Sequence, residues 1–155
     1  AQRRRRNIPL PPRTRRMKTQ LTLTPDPIDE LALVAEREMS DGMGAALVFH
    51  GVVRAKEDEA TITAIDYEAF DDMACHQFEL IFEEIDRQWP IESVRVVHRL
   101  GVVPVNEPSL WVEIIAPHRA ETFEACQFLI NTMKERVPIW KRPVGKTSSS
   151  SPKAV

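Results

Sequence analysis

Residues 78–99 read FELIFEEIDRQWPIESVRVVHR. Phe78, Ile81, Phe82, Ile85 and Trp89 fall at i, i+3, i+4, i+7 and i+11, which places them on one face of a helix. Pro90 has no amide hydrogen with which to continue that helix, so it closes there. Residues 93–99 (SVRVVHR) then read as a strand. Downstream, 109–116 (SLWVEIIA) is another strand. A last helix follows, with Phe123, Cys126, Ile130, Met133 and Val137 on one face and Pro138 at its stop. Upstream, 44–53 (GAALVFHGVV) is a buried strand broken near Gly51, and 60–68 (ATITAIDYE) is a further one. Asp26-Pro27 with Asp29 and Glu30 supplies an N-cap, a proline at the first helical position and acids in the first turn. Ile28, Leu31, Ala32 and Ala35 then recur at helical spacing, predicting a short helix over about 27–39 that Asp41-Gly42 ends. The order αββαββα, with neighbouring strands antiparallel, predicts a single α+β domain.

Composition narrows the class. A chain of 155 residues, 43% hydrophobic, can bury a core of its own. It holds no run near the ~18 apolar residues of a membrane-spanning helix. Two cysteines, Cys75 and Cys126, make neither a disulfide framework nor a CxxC pair, so a reducing cytoplasm is the expected compartment. The net charge of −2 conceals an asymmetry. Residues 1–20 carry seven arginines and one lysine against no acid, +8, while the other 13 basic and 23 acidic residues give −10. An acidic domain argues against nonspecific nucleic-acid binding by the folded part. The leader 1–20 has three prolines and no hydrophobic period and is expected to be disordered, an upstream extension before Met17 or a basic arm. The domain then covers 21–142, and 143–155 (PVGKTSSSSPKAV) is expected to be a flexible tail.

Candidate chemistry is cationic. His118-Arg119 opens the last helix, where cations oppose the macrodipole at ~0.3–1 kcal/mol each. An anion held among the free amides and the two side chains would offset that cost. Lys134 borders the apolar face of that helix, and Lys141 follows the Pro138 break beside Trp140, which is expected to anchor the segment. Two ammonium groups brought together favour the neutral, nucleophilic amine in one of them. Against that stands the ordinary preference of lysine for helix C-termini. Arg54 ends the FHGVVR strand, where Gly51 allows close approach of another backbone. His98-Arg99 reads mainly as structural. The four histidines show no ligand spacing, so no metal site is expected, and neither a dinucleotide nor a phosphate loop nor a GxSxG elbow is present. Cys75 sits near an acidic helix start, unfavourable to a thiolate, and Cys126 falls on the buried face.

Five segments follow one another in order: Phe49-His50-Gly51-Val52-Val53-Arg54; Asp66-Tyr67-Glu68-Ala69-Phe70 with Met73-Ala74; His98-Arg99-Leu100-Gly101; His118-Arg119; and Val137-Pro138-Ile139-Trp140-Lys141-Arg142. Together they resemble the large, catalytic subunit of molybdopterin synthase, from about Gly44 to Arg142. The resemblance implies an α/β-hammerhead-like fold and a homodimer within a heterotetramer. One small ubiquitin-like sulfur carrier docks on each large subunit and threads a C-terminal Gly-Gly thiocarboxylate into its pocket. Sulfur passes to cyclic pyranopterin monophosphate to form the molybdopterin dithiolene, with no further cofactor. The family's pocket lysines fall on Lys134 and Lys141, its anion-binding residues on Arg54, His118 and Arg119, and an apolar pocket residue on Phe49; Arg142 joins the substrate-binding set. The chain departs from the pattern at Pro143, where an acid is usual, in the loop AKEDEA after Arg54, which lacks a glycine, and in the SSSSPKAV tail. A noncatalytic module that binds a ubiquitin-like partner is the alternative reading.

Overall fold

The computed structural model describes residues 16–145 and 153–155. Its elements are β1 (Lys18–Thr24), α1 (Glu30–Ala35), β2 (Ala45–Val52), β3 (Lys56–Glu57), β4 (Ala60–Thr61), β5 (Ala64–Ala69), α2 (Asp71–Gln88), β6 (Ser93–Arg99), β7 (Gly101–Pro104), β8 (Pro108–Ala116), α3 (Arg119–Arg136), β9 (Ile139–Val144) and β10 (Lys153–Ala154). One sheet has the order β1-β6-β8-β2 and a second β10-β9-β5-β7, with β3 and β4 forming a small hairpin. Every pairing is antiparallel except β1 beside β6. The α+β class therefore holds.

The helix that decides the fold buries Phe78, Ile81, Phe82 and Ile85, as its period requires. Trp89 sits at its C-cap instead, where the indole N–H donates to Glu124 at 2.9 Å and the ring meets Phe128, tying α2 to α3. The stripe that α3 buries is Thr122, Ala125, Cys126, Leu129, Thr132 and Met133, rotated from the expected face; Phe123 is largely exposed and Ile130 only partly buried. Apolar side chains occur around much of this helix, so the periodicity leaves its rotation open and contact with the sheet sets it.

Strand β8 is covered on both faces. Leu110, Val112, Ile114 and Ala116 enter the main core, while Trp111, Glu113 and Ile115 alternate away from it. Glu113, fully buried, receives Arg37 Nε at 2.6 Å and Arg95 Nη2 at 2.8 Å. The Arg95 guanidinium also donates to the Leu33 carbonyl and lies 5.0 Å over the Trp111 ring. These contacts hold α1 to the sheet. The helix is shorter than expected, is capped by Asp29 rather than Asp26, and buries no residue, with Leu31 85% exposed.

The chain ends depart from expectation. Inside the leader expected to be disordered, β1 begins at Lys18 with Met17 buried. Its order comes from the ladder with β6, a source that hydrophobic periodicity does not register. Of the expected tail, Pro143 and Val144 belong to β9, and Lys153–Ala154 returns as β10 against that strand. Residues 1–15 and 146–152 lie outside the described residues. Among the described residues no helix is long and apolar enough to cross a membrane.

Candidate active site

Pro138 ends α3, and the chain resumes at once as β9, where side chains alternate between faces. Ile139 is fully buried and Lys141 half-buried on one face, while Trp140 and Arg142 are exposed on the other. The expected anchor is thus replaced: Ile139 fixes the segment, and Trp140, 37% exposed, does not. Lys141 stands directly across from Tyr67 of β5. Its Nζ lies 2.7 Å from Glu57 Oε1, on the β3–β4 hairpin. The turn of that hairpin holds Asp58 at φ 52, a left-handed conformation aspartate tolerates, so the AKEDEA loop closes without a glycine.

Lys141 and Lys134 line one cavity of about 170 Å³. Lys134 reaches it from the last turn of α3, where the helix dipole favours a cation, and makes no ion pair among the described residues. Lys141 by contrast is matched by a carboxylate, so its charge is not directed at Lys134 alone. Phe49, Gly51 and Val52 form a second wall. A register break between Gly51 and Val52 brings three such closely spaced residues to one cavity. The close approach at Gly51 is to β8: a Cβ there would meet Leu110 Cβ at 3.2 Å.

His98, Tyr67 and Ser109 complete the polar lining, and Met133, Ile130, Leu110 and Val155 the apolar one. Burial pushes the His98 imidazole down to about 4, so it is neutral at physiological pH. Its Nδ1 lies 2.8 Å from the Arg99 carbonyl and therefore carries the proton. Its ring meets Tyr67 edge-on at 5.1 Å. Burial raises the Tyr67 hydroxyl above the usual phenol value, opposed by a hydrogen bond with Ser109 and helped by the charge of Glu57. His98, expected to be mainly structural, thus faces the site, while Arg99 pairs with Glu107 at 3.3 Å as a structural residue. Spacing arguments missed Glu57, His98 and Ser109. Each comes from a different strand or loop, and only the tertiary fold juxtaposes them.

The remaining expected residues are not in this cavity. Arg54 is exposed just beyond β2, Arg142 is on the outer face of β9, and His118 is the exposed N-cap of α3 with Arg119 beside it. Fifteen residues of α3 separate Arg119 from Lys134, about 22 Å at 1.5 Å per residue. One chain therefore does not bring its helix-start cations to its own lysines. A second, mostly apolar depression of about 360 Å³ between β2 and α3 includes Phe49, Phe123 and Ile130. Cys126 at its floor is a buried thiol pushed up to about 11, and His50 pairs with Glu30 at 3.0 Å. No cluster of three metal-ligating side chains occurs among the described residues.

The sequence model of the MoaE protein family matches residues 23–136. The molybdopterin synthase catalytic subunit of Thermoplasma volcanium is 36% identical over 135 residues, spanning 87% of this chain and 98% of that protein. The Homo sapiens molybdopterin synthase catalytic subunit is 35% identical over 117 residues, 76% of this chain and 62% of that protein. In three dimensions, the molybdopterin synthase structure from Staphylococcus aureus aligns with a TM-score of 0.77 at 27% identity, covering 86% of this chain and 96% of that one. Matched in sequence over most of its length and in the path of its backbone, the chain belongs to the MoaE family, that of the molybdopterin synthase catalytic subunits.

Proposed function

We propose that this chain transfers sulfur from the C-terminal thiocarboxylate of a small ubiquitin-like partner to cyclic pyranopterin monophosphate, forming the molybdopterin dithiolene. The observation that carries this reading is the convergence of Lys134 and Lys141 in one small cavity whose other titratable wall groups, His98 and Tyr67, stay uncharged at neutral pH. A cationic end in an otherwise neutral wall fits an anionic group presented on an extended tail. Lys134, which pairs with no carboxylate among the described residues, meets the thiocarboxylate carbonyl as a nucleophilic amine or as the cation that polarises it. Lys141, held by Glu57, is a fixed positive charge beside the negative charge that develops there. Glu57 also supplies a carboxylate from the neighbouring hairpin where the chain has Pro143 after its Trp-Lys-Arg run.

His118 and Arg119, with Arg54 and Arg142, hold the substrate phosphate. The distance along α3 supports a second copy of the chain as the source of the helix-start pair for each lysine cavity. The exposed apolar depression between β2 and α3, which shares Phe49 and Ile130 with that cavity, supports a homodimer. With a small partner on each copy the assembly is a heterotetramer. Two free cysteines, one of them buried, fit a reducing cytoplasm.

The test mixes the purified chain with thiocarboxylated small partner and cyclic pyranopterin monophosphate and assays the dithiolene. Product is expected, and its loss in Lys134→Ala with the complex still formed assigns the residue. A complex without product would favour the noncatalytic module, and no complex at all would overturn the reading.

A further inference from the structure

Strand β9 has β5 on one side. On its other side runs β10, with Lys153 opposite Lys141 and Ala154 opposite Trp140. The Val155 amide donates to the Ile139 carbonyl at 2.8 Å. Val155 is half-buried against the core and lines the same cavity as Lys134 and Lys141. The chain's own residues 153–155 therefore cover the edge of the strand that presents Lys141 and put an apolar side chain into the site.

An uncovered β9 would offer a row of backbone donors and acceptors, the kind of edge to which an extended peptide adds as a strand. A partner tail that brings its end to Lys134 and Lys141 along β9 needs those same groups. Two strands cannot occupy one edge at once. Accepting the sulfur-transfer reading above, we infer that residues 153–155 are a built-in competitor for the partner's tail, occupying the β9 edge and the lysine cavity until the tail displaces them. Two register pairs and one half-buried side chain make a weak strand, but its tether to the same molecule gives it a high effective concentration. A segment that occupies the edge about nine-tenths of the time raises the partner's apparent Kd about tenfold. The device sets a threshold: only a partner whose folded body also binds gains enough to open the edge.

The test compares the full chain with Val155→Pro, which removes the amide donor and alters the side chain, and with a chain lacking residues 153–155. In the dithiolene assay the half-saturating concentration of thiocarboxylated partner should fall about tenfold in both variants. An unchanged half-saturation in both overturns the competition. Amide exchange of Val155 in the full chain alone should be slowed, and should speed up when the small partner is added without its thiocarboxylate. Exchange at the free-peptide rate before partner is added overturns the inference even where turnover is normal. If none of the three proteins turns over, it is the sulfur-transfer reading that fails. Competition then stands on tighter partner binding by the two variants and falls on equal binding by all three.

Discussion

Two clusters of charge in this protein are built on opposite plans. Around Glu113 a single buried carboxylate takes two guanidiniums at 2.6 and 2.8 Å, and both of its oxygens are used. Around the lysine cavity Glu57 serves Lys141, and among the described residues no carboxylate serves Lys134. In the first arrangement both cations contact the shared carboxylate, although Arg95 Nη1 is buried without a partner, and the cluster holds α1, which buries no residue of its own, against the sheet. In the second, only one of the two cations touches the carboxylate among the described residues. Charge that maintains a fold is paired by contact within the molecule, whereas charge available to a ligand is left without such a contact.

That contrast can be broken by experiment. Lys134→Ala should lower turnover about a thousandfold while leaving the unfolding free energy from urea titration within about 0.5 kcal/mol of the parent; a large loss of stability would place Lys134 in the structural class. Glu113→Ala should do the reverse, costing about 3–5 kcal/mol by stranding Arg37 and Arg95. The expected readout is a lowered denaturation midpoint with dithiolene formation per folded molecule retained, and a cost below about 1 kcal/mol would mean that α1 does not depend on that carboxylate.

His98 tests the cavity wall. Its imidazole titrates near 4 in the folded protein against 6.5 when unfolded, so the unfolded chain binds the extra proton first. The stability this neutral histidine preserves is present above pH 6.5 and is lost as the pH falls toward 4, about 3 kcal/mol in all. His98→Asn keeps a donor for the Arg99 carbonyl and should flatten that part of the stability–pH curve. An unaltered curve would mean that His98 takes up its proton at the same pH in the folded chain as in the unfolded one. Glu57→Gln should have the smallest effect, about tenfold on turnover, the worth of one charge-assisted hydrogen bond of ~1.5 kcal/mol that fixes Lys141. No change would show that Lys141 is positioned by β9 alone.

Much of this was legible in the sequence, for identifiable reasons. Helix α2 has one unambiguous apolar stripe and a proline stop, so its buried residues and end could be read directly. For α3 the ends were readable but the rotation was not, because Phe123 and Ile130 compete with Ala125 and Leu129 for the core and only the sheet chooses between them. Strand β1 escaped because an edge strand half-open to solvent carries little hydrophobic signal. Lys134, Lys141 and Phe49 stood out through a family resemblance, and they do share a cavity. Glu57 could not be foreseen beside Lys141, since 84 positions of sequence separate them and the hairpin that joins them is two residues wide on each side. The same applies to Glu113, a charge within a strand whose partners come from α1's flank and from β6.

The seven-residue interval from Lys134 to Lys141 has a consequence for how such chains can vary. It begins on a helix, crosses one proline and ends on a strand, and each stretch counts residues by a different rule. Deleting or inserting a single residue between Pro138 and Lys141 would swap the inner and outer faces of the strand, turning the ammonium to solvent and bringing Arg142, after a deletion, or Trp140, after an insertion, to the cavity face. Members of a lineage can lengthen their ends or their hairpins with little penalty. Within this interval the number of residues is itself under constraint, apart from which residues they are.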